Sequence, residues 1–280
     1  MTTSAVFTLL LNVALLQVAY NLGTIAPVII QSRDSTGKCP STEERQTAIE
    51  RIQNDVEVRI PRMVTECGDG LWYRVAYFDM RDPTQNCPSA WREYTSNSVR
   101  VCGRPVTSSG SCTATVYTTG DQYSKVCGRV IGYQYGSPDG FFTSSTIDQV
   151  YADGISITYG TPRNHIWTYA AGVIEGSAIL TSNNCPCTSY GAGLSPPTFV
   201  GSNYYCESGT TDDWSSILYD SDKLWDGEQC DNEGTCCMGP PWFTVELPSN
   251  SVEDIEVRVC GDEGTVNEDS PVELLELYIQ

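Results

Sequence analysis

Basic residues are scarce in this chain and histidine is almost missing. Sixteen Lys and Arg and one His stand against 35 Asp and Glu, a formal net charge of −19 over 280 residues. That balance repels phosphate, which argues against nucleic acid as a partner and against anionic membrane surfaces. Cations, basic partners and neutral sugars stay open. One histidine is too few for a histidine-built metal site, and any nucleophile–base–acid triad would have to use His165. No Gly-x-Ser-x-Gly elbow occurs, nor any Asn-x-Ser/Thr glycosylation acceptor. Missing, too, is an apolar run of bilayer-spanning length, which takes about 20 residues. The one long apolar run, residues 5–19, has the length of a signal-peptide core instead, with an N-terminal membrane anchor extended by Val28–Ile30 as the rival reading. We therefore expect residues 1–26 to be a signal peptide cleaved after Ala19 or Ala26, a secreted protein, and no membrane span after cleavage.

Cysteine is abundant. Thirteen follow the apolar run: Cys39, Cys67, Cys87, Cys102, Cys112, Cys127, Cys185, Cys187, Cys206, Cys230, Cys236, Cys237 and Cys260. Such density belongs to an oxidising compartment or to a metal site. The clustered cysteines, Cys185-Pro-Cys187 and Cys236-Cys237, lack the CxxC spacing of structural zinc, so disulfides are the expectation. An odd total leaves one cysteine unpaired or intermolecular, and spacing does not fix the connectivity.

The 24 glycines and 15 prolines are spread along the chain, as turns between short strands require. The strongest pattern lies at residues 150–173. Ile155, Ile157 and Tyr159 alternate with Ser156 and Thr158, Gly160 to Asn164 supply a turn, and Ile166, Trp167 and Tyr169 return. This predicts a β-hairpin, with His165 as a structural, hydrogen-bonded residue. Further strands are predicted at residues 71–79, 99–102, 113–118, 125–133, 242–247, 255–260 and 274–279. The first of these is apolar on both faces, as a central strand is. Residues 40–58 carry the one helical pattern: Ser41 and Glu44 form a capping box, and Ala48, Ile49, Ile52 and Val56 make an apolar stripe. The predicted architecture is mainly β, antiparallel, disulfide-rich and sandwich-like. A helical segment at residues 39–62 precedes a cysteine-rich β domain at residues 63–280.

Two constellations bear on function. Asp220, Asp222, Asp226, Glu228 and Asp231 crowd oxygen donors around Gly227, a composition suited to calcium, although the spacing is not that of an EF-hand. Beside them Trp214, Tyr219 and Trp225 offer amphipathic faces to a sugar or protein; Tyr204 and Tyr205 are further aromatic candidates, while Trp242, after Pro240-Pro241, is expected to pack inward.

Several stretches together resemble an uncharacterised, cysteine-rich extracellular protein family of sponges, cnidarians and other marine invertebrates. They are Cys39-Pro-Ser-Thr-Glu-Glu-Arg, Trp72-Tyr-Arg-Val-Ala-Tyr, Asp82-Pro-Thr-Gln-Asn-Cys87-Pro, Val126-Cys-Gly-Arg-Val-Ile-Gly-Tyr-Gln-Tyr-Gly-Ser-Pro-Asp139, Gly160-Thr-Pro-Arg-Asn-His-Ile-Trp167 and Pro240-Pro-Trp-Phe243. The resemblance covers nearly the whole mature chain. It implies an extracellular location and brings no catalytic residue with it. The aromatic, acidic C-terminal third has a weaker likeness to fibrinogen-type recognition domains.

The reading that follows is a secreted recognition or adhesion module with calcium as cofactor and an extracellular glycan or protein as partner. A self-assembling matrix or skeletal scaffold, joined through the odd cysteine, is the alternative. A secreted hydrolase ranks last, because no catalytic constellation stands out and two close carboxylates with raised pKa would be needed to argue for one.

Overall fold

The computed structural model describes residues 61–96, 98–136, 138–142, 146–175, 196–211 and 242–280. All belong to the unit Glu57–Gln280. The helical pattern at 40–58, the acidic loop at 220–231 and the aromatics Trp214, Tyr219 and Trp225 lie outside these residues, as do Cys39, Cys185, Cys187, Cys230, Cys236 and Cys237.

The described chain forms β1 (Tyr73–Asp79), β2 (Arg92–Ser96), β3 (Val99–Gly103), β4 (Ser111–Tyr117), β5 (Tyr123–Gly132), β6 (Tyr135–Gly136) and β7 (Gly154–Tyr159). It continues with β8 (Asn164–Glu175), β9 (Tyr204–Thr211), β10 (Trp242–Ser251), β11 (Ile255–Gly261), β12 (Glu268–Asp269) and β13 (Val272–Ile279). Two sheets result, one ordered β10-β5-β13-β3-β2 with β1 also paired to β13, the other ordered β4-β11-β7-β8-β9. A short ribbon, β12-β6, stands beside them. Neighbours are antiparallel except β8 and β9, which run parallel. No described helix is long and apolar enough to cross a membrane.

The sheets meet face to face because each inner face carries the apolar half of an alternating strand. Val126, Val130, Leu275, Leu277 and Ile279 of the first sheet share a core with Ile155, Ile157, Ile255, Val257 and Val259 of the second. Trp167 closes this core by stacking on Phe243 of the opposite sheet, ring centroids 4.2 Å apart. β13 is buried along its whole length, so it, and not the twice-apolar β1, is the central strand. β1 pairs only with β13 among the described strands, and Tyr73 and Tyr77 face outward from it, exposed. A second apolar cluster, including Phe141, Tyr151, Ala170 and Val200, lays residues 139–142, 146–153 and 196–203 over the outer face of β8.

Three disulfides join described cysteines: Cys67–Cys127, Cys87–Cys102 and Cys112–Cys260. Cys206 is disulfide-bonded as well. Each of the three ties separate stretches of chain together, the last joining β4 to β11 across one register pair.

Candidate functional site

The β6–β7 and β11–β12 connections bring four carboxyl groups to one end of the second sheet. Asp153 immediately precedes β7 and Asp262 immediately follows β11, and these strands are antiparallel neighbours, so the two residues arrive side by side. Asp139 is folded back toward Asp153 by the bridges Phe141–Ala152 and Asp139–Gly172. Glu268 comes from the ribbon, where it pairs with Gly136. Two glycines make these approaches possible. Gly136 and Gly154 have φ of 76° and 139°, and a Cβ on either would overlap a carbonyl oxygen of the neighbouring strand, that of Asn267 or Tyr169.

One carboxylate oxygen each from Asp139, Asp262 and Glu268 lies within 4.8 Å of the other two. Asp153 backs this triad. Its Oδ2 accepts the Asp139 N–H at 2.7 Å, and its Oδ1 accepts the Asp262 N–H at 2.9 Å. Glu268 Oε1 accepts the N–H groups of Asp262 and Glu263 at 2.9 and 3.1 Å. The Asp153 and Glu268 carboxyl groups also influence each other. Burial, reinforced by neighbouring acidic charge, pushes both carboxyls far above the ordinary carboxylate range. Asp262 Oδ1 is buried and has no hydrogen-bond partner.

A cation holds the frame of this cluster. Arg104, fully buried, donates to the backbone carbonyls of Gly261, Glu263 and Glu268 at 2.7, 2.7 and 2.9 Å, and to Asp269 Oδ1 at 3.2 Å. Tyr94 donates its hydroxyl to the other oxygen of Asp269. Arg104 therefore fixes the backbone on both sides of Asp262 and at Glu268 without entering the triad.

The arrangement suits an oxygen-seeking cation better than hydrolysis. Asp153 and Glu268 expose only 1 % and 2 % of their surface, which denies a glycosidic bond access to the coupled pair. Carboxylate oxygens gathered this closely are the donor set that hard, oxygen-seeking divalent cations take. Asp139 and Asp262, only half-buried, leave the triad open on one side.

None of these four acids was singled out in the sequence, where local acidic density pointed to 220–231. The legible signal was different: Asp139-Gly140, Asp153-Gly154 and Gly261-Asp262 each set an acid beside a glycine at a strand end. Tyr204 and Tyr205, candidates for a free aromatic surface, are instead packed into the two clusters flanking β8 and β9. Trp242 is half-buried, stacked near Tyr278 with the Arg129 guanidinium over its ring. His165 is a structural residue: its Nε2 lies 2.8 Å from Thr168 Oγ1, and burial pulls its imidazole down to about 4. Comparison with protein-family models, curated proteins and solved structures finds no match to this chain.

Proposed function

We propose that the chain is an extracellular recognition module, a disulfide-braced β-sandwich whose Asp139–Asp262–Glu268 triad takes calcium and thereby orders the loops around it. The partner is an extracellular glycan or protein. The observation that carries this reading is the convergence of carboxyl oxygens from the β6–β7 and β11–β12 connections, each within 4.8 Å of the other two. Disulfides within one chain and a net charge of −19 support an oxidising compartment and cationic partners. The chain's residues would supply the ligands, while Asp153, held by two backbone N–H groups, keeps Asp139 and Asp262 in position. Calcium would supply two positive charges, which offset most of the repulsion among three carboxylates in a poorly solvated place.

The test is thermal unfolding with calcium, magnesium or chelator, run alongside a glycan and protein-ligand array with and without chelator. Calcium at a hundredfold excess over its dissociation constant stabilises a binding-competent fold by about 2.7 kcal/mol. We expect that stabilisation in the native chain and its loss in Asp262→Asn with Glu268→Gln. An equal calcium shift in the double variant, or ligand binding indifferent to chelator, overturns the reading.

A further inference from the structure

A cavity of about 460 Å³ opens at the far end of the second sheet, between the β7–β8 turn and the β10–β11 turn. Its lining mixes apolar and acidic groups. Val116 and Val252, 58 % and 66 % exposed, are among the most exposed large apolar side chains described, and both line it. Beside them, Glu256 is the register partner of Val116, and Glu253 and Asp254 follow Val252 in the same turn; Arg163 also lines the cavity. Glu256 is engaged by Arg163 and by Arg258 Nε at 2.9 Å, and Arg163 is further held by Asp148 and the Ile147 carbonyl. Glu253 and Asp254 have no basic partner among the described residues, so the mouth of the cavity carries uncompensated negative charge. The floor adds a polar group in want of a partner: Thr158 is 1 % exposed and its hydroxyl makes no hydrogen bond.

We infer that this cavity is the docking site for a lysine or arginine side chain of a basic protein segment. The inference rests on the recognition reading and names its partner class. Basic side chains are likewise mixed, an aliphatic stem ending in a cation. The two valines fit the stem, and Glu253 and Asp254 face the head with charge that also steers its approach from a distance. A neutral sugar would use the hydroxyl and carboxylate groups but leave the negative charge uncompensated. An acidic partner is repelled.

The probes are N-acetyl-arginine amide, a tetralysine peptide, a tetraglutamate peptide and a panel of neutral monosaccharides, titrated by calorimetry and by NMR shifts of residues 116 and 252–256. We expect the two basic probes to bind, the tetraglutamate and saccharides not to, and 0.5 M salt to weaken binding several-fold. Glu253→Gln with Asp254→Asn, both on an exposed turn, should weaken the basic probes about tenfold, equivalent to about 1.4 kcal/mol, with unchanged thermal unfolding. Val116→Ser should weaken N-acetyl-arginine amide by a smaller factor. No binding of basic probes, binding unaffected by the double variant, or saccharides shifting these residues in their place each overturns the inference. The calcium variant Asp262→Asn with Glu268→Gln should bind the basic probes as the native chain does. Failure at the cavity is thereby separated from failure of the calcium site.

Discussion

Arg104 shows how much one residue can decide. A guanidinium with no solvent is tolerable only because four carbonyls, one hydroxyl and one carboxylate surround it. Arg104→Ala strands the Asp269 carboxylate, and by the general cost of breaking a buried pair it should destabilise by about 3–5 kcal/mol in urea unfolding. Arg104→Lys should recover only part of this, because an ammonium has three donors and cannot span the same carbonyls. Titrations add a second residue-scale expectation. The folded chain depresses His165 below an unfolded value of about 6.5, so His165 favours the fold above that pH and its contribution is lost as pH falls toward 4. Asp153 and Glu268 have the opposite sign: raised by burial, they favour the fold below about pH 4 and lose that contribution as pH rises. On the proposed calcium reading, the metal would have to displace a proton held at Glu268. The thermal shift it causes should therefore be larger at pH 8 than at pH 5; a shift that is flat with pH would count against coupling between metal and proton.

At the scale of elements, the β7–β8 hairpin carries the contact that joins the sheets. Trp167→Ala removes the stack on Phe243 and should cost about 3–5 kcal/mol in denaturant unfolding, more than removal of any exposed aromatic. This hairpin was legible from period-two alternation and turn chemistry, as were β3, β4, β5, β10, β11 and β13 to within a few residues. What misled was polarity within buried strands. β13 reads Val-Glu-Leu-Leu-Glu-Leu-Tyr-Ile, and its two glutamates look like solvent positions. In the fold Glu276 is buried against Arg129 and accepts the Tyr278 hydroxyl at 2.8 Å, so the polar residue marks a paired interior site. β1 misled in the reverse sense, its outer tyrosines being exposed. β9 was missed because a parallel neighbour needs no local hairpin signal. The acidic site was illegible for a related reason: its members are spread over 130 positions of sequence, and only sheet register unites them.

For the molecule as a whole, charge and sulfur act in opposition. A net charge of −19 repels itself within a compact volume, so added sodium chloride should raise the unfolding temperature through screening alone. The disulfides oppose expansion of the unfolded chain, and Cys112–Cys260 closes the longest span of the three, a separation of 148. Replacing both of its cysteines with alanine should cost about 3–5 kcal/mol at pH 7, measured by denaturant titration, with less expected for the 15-residue span of Cys87–Cys102. The position of β13 has a consequence for biosynthesis. Its partners β1, β3 and β5 are all made long before it, yet they gain their shared neighbour only when residues 272–279 leave the ribosome. Until that moment three strands hold open edges toward an unfilled slot, the condition in which a foreign strand can pair with them.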